Sequence, residues 1–301
     1  MNKILMIFLD GVGIGRDDYE FNPFFKYGFK TFTELFGEIP FLKNPVIEKE
    51  NLFLFPTDAR LGIEGLPQSG TGQTSIFCGM NAAEYVGKHF GPYPYSTLIP
   101  IIEEQNIFKH YLKKKQKAFF ANAYPKVFFD YLKSGRQRLS VTSLSCRLSK
   151  MKLNRVSDVR KGNALTAEIT NERWNLKLGY TLPIIKPETA ARRLLRIAEQ
   201  NKFTLYEYFL TDHIGHGRYD GETETTLKVL DNFLFTILKE MDYKNLTVVI
   251  CSDHGNFEDL SIKTHTLNPS LTITAGKSVE QLFKSIKNIA QIKPATINIL
   301  K

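Results

Sequence analysis

Five short runs rich in apolar residues, many of them β-branched or aromatic, punctuate the chain: residues 3–9, 52–55, 117–123, 203–210 and 246–252. Runs of this length and makeup predict buried β-strands. Between them the spacing of apolar positions changes to that of amphipathic helices. Residues 97–115 predict one such helix. Residues 187–201 predict another, opening on Pro187 and Glu188 as a helix start does. A third spans 222–241, with Leu227, Leu230, Leu234, Ile237, Leu238 and Met241 on one face. Residues 296–300 predict a last strand. Strands alternating with helices imply an α/β protein, a mostly parallel, doubly wound sheet with helices on both faces.

The stretch 126–180 interrupts this rhythm. It holds 12 Lys or Arg against 4 Asp or Glu, a net of +8 within a chain whose formal charge is +9. Its weak periodicity and concentrated charge predict a small inserted basic cap or lid, with the core made of 1–125 and 181–301. The remaining composition is that of a soluble globular protein, 43% hydrophobic. The apolar start stops at Asp10, too soon for a secretion signal or a membrane span. Three scattered cysteines, Cys78, Cys146 and Cys251, suggest neither a disulfide framework nor a metal knot, and point to the cytoplasm.

The residues with chemistry fall where strands are expected to end. In open parallel sheets that is where ligands bind. Asp10 closes the first run. Asp212 and His216 follow the fourth, Asp253 and His254 follow the fifth, and His265 comes in the next loop. Carboxylates and imidazoles in such a set suit zinc, manganese or magnesium. Residues 65–75, GLPQSGTGQTS, add a flexible turn leading into a helix, with Ser69 as a hydroxyl nucleophile and Thr71 as a second candidate. Backbone N–H groups at such a turn favour phosphate oxygens.

Taken together, these motifs resemble the alkaline phosphatase superfamily, in particular the branch of cofactor-independent phosphoglycerate mutase and phosphopentomutase. The elements that carry the resemblance are Asp10-Gly11 after the first strand, Ser69 three residues before Gly72, Asp212-His213-Ile214-Gly215-His216, Asp253-His254-Gly255-Asn256, and His265 in its Thr-His-Thr loop. The resemblance implies two divalent cations, manganese first and zinc or magnesium next. One would be held by Asp10, Ser69, Asp253 and His254, the other by Asp212, His216 and His265. It implies a small phosphorylated substrate and phosphoryl transfer through a phosphoserine at Ser69. Gln73 stands where the mutases of the family usually carry His, and the basic stretch does not match their substrate clamp. A phosphomonoesterase is therefore expected ahead of a phosphomutase or a phosphodiesterase. Arg136, Arg138, Arg160 and Lys161 are the substrate-binding candidates in the cap.

Two other classes fit less well. A dinucleotide-binding oxidoreductase would use Gly11, Gly13 and Gly15, but its fingerprint needs a further glycine where Arg16 stands. A non-enzymatic binder of anionic partners would use the basic stretch, yet no nucleic-acid-binding module is present, so neither nucleic acid nor membrane is expected as a partner.

Overall fold

The computed structural model describes residues 3–135, 138–219 and 221–299. Nine strands are described: β1 Lys3–Leu9, β2 Ile47–Lys49, β3 Leu52–Thr57, β4 Ala118–Phe120, β5 Ala123–Tyr124, β6 Asn154–Arg155, β7 Phe203–Tyr208, β8 Leu246–Cys251 and β9 Ser270–Ala275. Seven make one sheet in the order β2-β3-β9-β8-β1-β7-β4, and β5 with β6 make a two-stranded parallel pair. The block β4-β7-β1-β8 is parallel throughout, whereas β9, β3 and β2 join by antiparallel pairings. Five of the seven strands therefore point the same way, and the sheet is mixed.

Alternation along β1 shows how the sheet is covered. Leu5, Ile7 and Leu9 enter one apolar core, with Ala190 and Leu194 of the Pro187–Glu199 helix and Leu230 and Phe233 of the Thr223–Glu240 helix. Ile4, Met6 and Phe8 enter the other, with Ile76 and Phe77 of the Ser69–Cys78 helix, Ile102, Phe108 and Ile292. A strand buried on both faces favours apolar residues at successive positions, which is why the β1 run is unbroken from Ile4 to Leu9.

The structure departs from the sequence reading in four places. Residues 296–299 do not form a strand, and residue 300 of that predicted strand lies outside the described residues. Ile292–Asn298 is a helix, with Ile292, Ala295 and Thr296 buried and the Thr296 hydroxyl donating to the Ile292 carbonyl at 2.6 Å. The expected helix over 97–115 is split into Ile99–Gln105 and Ile107–Lys113. At the break, Asn106 caps the second segment by accepting from the Lys109 N–H, and its own amide donates to Ile102 at the end of the first. The run 117–123 divides between β4 and β5, so it serves two sheets. Strand β9 falls outside the five predicted runs. Its Ser and Thr positions are buried with the rest, and Thr272 pairs with Thr57 at 2.6 Å, hydroxyl to hydroxyl.

The basic stretch is mostly helical: Lys126–Lys133, Val141–Leu148, Val156–Arg160 and Glu172–Leu178. Val141, Leu144 and Cys146 enter the second core, while Val159, Ala164 and Trp174 form a smaller cluster with Ala123 and Leu182. Among the described residues, no helix is long and apolar enough to cross a membrane.

Candidate metal centre

Strand β1 lies between β7 and β8, with Leu9 opposite Tyr208 and Phe8 opposite Cys251. Their carboxyl ends are therefore side by side. Asp10 follows β1 directly, Asp253 stands two residues beyond β8, and Asp212 belongs to the Leu210–Gly215 helix that begins just after β7. Ser69 is the first residue of the Ser69–Cys78 helix. The close seating of that helix depends on glycine: a Cβ on Gly70 would overlap the carbonyl oxygens of Phe90 and Tyr93, and one on Gly72 would stand 2.9 Å from Cβ of Asp253.

The seven sequence-predicted residues lie in one cluster. The Ser69 hydroxyl is 3.0 Å from Nε2 of His254. That nitrogen is 3.4 Å from Asp10 Oδ1 and 3.5 Å from Asp253 Oδ2. Oδ1 of Asp212 is 3.3 Å from His216 Nε2 and 3.5 Å from His265 Nε2. Two sets of ligand atoms each fall within 4.8 Å of one another, Asp212 with His216 and His265, and Asp10 with Asp212 and His254, so Asp212 is common to both.

The donor set fits metal cations. Nδ1 of His216 lies 2.8 Å from the Lys263 carbonyl, and Nδ1 of His265 lies 2.6 Å from the Pro67 carbonyl. A carbonyl only accepts, so both Nδ1 atoms carry the proton. In the neutral rings the Nε2 lone pairs then face each other across 3.1 Å, beside the Asp212 carboxylate. Only a proton or a cation among them makes that arrangement favourable. Orientation of a ligating imidazole by a backbone acceptor is the usual supporting device at metal sites. Asp10 Oδ1 and Asp253 Oδ2 are buried and receive no hydrogen bond. Buried anionic oxygens without donors are costly unless a cation meets them.

Electrostatics agree. Burial, together with Asp253 and Asp212, pushes the Asp10 carboxyl well above the usual range. Burial and Asp212 push Asp253 up to about 7. Burial, then His265, brings His254 down to about 3, which keeps its ring neutral. Burial also acts to raise Asp212, but hydrogen bonds with His216 and His265 outweigh it and hold that carboxyl well below its ordinary value. Carboxylates crowded this closely favour protonation when metal is absent and metal binding when it is present.

The remaining candidates separate clearly. Thr71 is fully buried, and its hydroxyl donates to the backbone of Gln68 or Phe90, at 3.2 and 3.4 Å. Arg138 lines the cleft above Ser69, a cavity of about 690 Å³; among the described residues Arg160 and Lys161 do not line it. Arg136 lies outside the described residues. Gln73 donates through its amide to Asp10 Oδ2 at 3.3 Å.

Several residues of the site escaped the sequence reading. Glu258 is 1% exposed. It accepts from the N–H groups of Gly13 and Asn256, both at 2.8 Å, from the Thr266 hydroxyl at 2.6 Å and from the Asn268 amide at 3.0 Å. One carboxylate thus ties the exit of β1 to the loop carrying Asp253, His254 and His265. Asn256 donates to Asp212. Glu207, buried on β7, accepts from the Thr142 hydroxyl at 2.7 Å and lines the cleft. An acidic residue inside the apolar run 203–210 was the signal available for Glu207. For Glu258, a loop position five residues past Asp253, only the fold supplies one.

An α/β sheet with acidic and histidine side chains gathered at its carboxyl edge is the architecture of alkaline phosphatase-like metalloenzymes. The profile of the metalloenzyme superfamily matches residues 147–301, which is 155 of the 301 positions, and the chain belongs to that superfamily. No curated relative matches in sequence. Among solved structures, alkaline phosphatase from the Antarctic bacterium TAB5 superimposes with a TM-score of 0.53 at 12% identity, covering 99% of this chain and 97% of that one. The PH0037 protein from Pyrococcus horikoshii gives 0.52 at 16% identity over 91% and 85% of the two chains. Leishmania mexicana phosphoglycerate mutase gives 0.50 at 9% identity over 99% and 95%. At these identities the likeness is one of fold.

Proposed function

We propose that this metalloenzyme hydrolyses a phosphomonoester, with Ser69 as nucleophile. The observation that carries the reading is the position of the Ser69 hydroxyl. It opens a ten-residue helix and stands 3.0 Å from His254 Nε2, at the point where the candidate ligands converge. A helix N-terminus favours phosphate oxygens. Two divalent cations, manganese first, held by Asp10, Ser69, Asp253 and His254 and by Asp212, His216 and His265, would make the serine alkoxide accessible and offset charge on the phosphoryl oxygens.

Ser69 Oγ then attacks phosphorus in line with the ester oxygen. The Oγ–P bond forms as the ester P–O bond breaks. The leaving oxygen keeps the electron pair and takes a proton from solvent, to which the serine proton is lost. Water attacks the phosphoserine next, breaks the Oγ–P bond and releases inorganic phosphate. His216 and His265 are held in one tautomer by Lys263 and Pro67, so their Nε2 atoms stay aimed at the site through both steps. Three buried, unpaired cysteines suit a cytoplasmic setting.

The test is to strip the protein of metal, restore manganese, and measure phosphate release from sugar, nucleotide and aryl phosphomonoesters, with Ser69→Ala in parallel. Metal-dependent release that is lost in Ser69→Ala is the expected result. Absence of release from every ester would overturn the hydrolase reading and favour a mutase or diesterase built on the same nucleophile.

A further inference from the structure

Arg218 stands in the turn after the Leu210–Gly215 helix and lines the same cleft as Ser69, Asp212 and Arg138. We propose that Arg138 and Arg218 form a second anion-binding position, which selects phosphoesters whose leaving group carries another anionic group. The proposal rests on the phosphoesterase reading and adds a substrate class to it.

The first support is how the two arginines are held. The Arg138 N–H donates to the Tyr131 hydroxyl at 3.1 Å, and that hydroxyl donates back to the Arg138 carbonyl at 3.3 Å. The Arg218 N–H donates to the His213 carbonyl at 2.9 Å, after Gly217 has made the tight reversal at φ +70°. The next residue, Tyr219, packs its ring against His213 and beneath the guanidinium of Arg173. Both backbones are thus fixed by local bonds. A fixed backbone reduces the ordering cost of binding.

The second support is what their guanidinium groups lack. Arg173 pairs with Glu222, and Arg192 pairs with Glu240. Among the described residues, neither Arg138 nor Arg218 pairs with a carboxylate, though both border a cleft that contains Asp10, Glu207 and Asp212. Guanidinium forks suit carboxylate and phosphate oxygens.

The third support is the shape and lining of the cleft. Its volume of about 690 Å³ leaves room for a leaving group well beyond the phosphoryl position. Tyr124 and Phe128, stacked at 4.0 Å between centroids, and Phe209 offer apolar walls for a carbon skeleton. With the candidate ligands engaged by cations, Arg138 and Arg218 are the guanidinium groups that the cleft lining offers to a second anion. A neutral leaving group forgoes this contact.

The experiment compares 4-nitrophenyl phosphate with 4-carboxyphenyl phosphate, which share a ring and differ in charge at its far end. The metal-loaded full chain is assayed as wild type, Arg138→Gln, Arg218→Gln and the double variant. We expect wild type to favour the carboxylated ester in kcat/KM, and the ratio between the esters to fall about tenfold in each single variant, chiefly through KM. Partial recovery of the ratio in Arg218→Lys would show that charge is what acts. A ratio unchanged in the double variant would overturn the proposal, as would equal losses on both esters. If wild type cleaves neither ester, the phosphatase reading stands or falls on the wider panel of sugar, nucleotide and aryl esters. The proposal is then decided by calorimetric binding of benzylphosphonate against 4-carboxybenzylphosphonate. Tighter binding of the carboxylated compound, lost in the double variant, supports it, and equal binding overturns it.

Discussion

The side-chain amide of Asn256 donates to Oδ1 of Asp212 at 2.9 Å, the oxygen that also faces His216 and His265. Asn256 thereby fixes which way the shared carboxylate turns. The contact is close-packed: a Cβ on Gly215 would overlap the Asn256 carboxamide. Asn256→Ala is expected to weaken metal binding by about 10–100-fold, the usual cost of losing a partner that orients a ligand. Competition against a chelator of known affinity measures this, and Gly215→Ala should give a loss in the same direction by displacing the same amide.

Glu258 receives four hydrogen bonds from three segments. Removing a buried acceptor leaves several donors unsatisfied, at about 1–3 kcal/mol each before relaxation. Glu258→Ala should therefore lower stability by roughly 3 kcal/mol or more in urea unfolding, and metal affinity should fall with it. Unchanged stability would show that water replaces the carboxylate.

Glu207 predicts a pH effect. Burial raises its carboxyl to about 7 from an ordinary value of 4.5, against the opposing hydrogen bond from Thr142. Between those two values the folded protein binds a proton that the unfolded chain has released. Stability from this group is thus present below pH 4.5 and is lost as pH rises through 7. In metal-free protein, Glu207→Gln should unfold at a higher temperature than wild type at pH 8. At pH 5 the difference should shrink or vanish.

For Ser69→Ala, turnover should fall by on the order of 10³ or more while metal content is largely kept, because the carboxylates and imidazoles remain. Metal analysis of the purified variant, alongside its kinetics, separates loss of the nucleophile from collapse of the site.

The legible parts of this molecule are those where one physical demand controls a whole run. β1 is buried on both faces, so its six apolar residues from Ile4 to Leu9 announce it, and the strand occupies Lys3–Leu9 as the sequence predicts. Asp10, Asp212 and Asp253 were visible because each follows such a run. β9 was not, since its Thr272 is accommodated in the core by a hydroxyl pair with Thr57 across the strands, which no local pattern records. Residues 296–300 misled for the opposite reason: β-branched side chains suggest a strand, but the buried spacing of Ile292, Ala295 and Thr296 is helical. Glu258 and Arg218 depend on contacts or a cleft that exist only once distant segments have met.

Strands β8 and β9 are antiparallel neighbours, with Cys251 opposite Thr272. The loop carrying Asp253, His254 and His265 therefore leaves and re-enters the sheet at adjacent positions. Its outermost residues, Ser261 and Ile262, are exposed. Lengthening the chain there asks nothing of the sheet, because the two anchor points need not move apart. This makes the Ser261–Ile262 junction a natural graft point for a reporter peptide or a fluorophore-bearing cysteine, on the same loop as three of the candidate ligands.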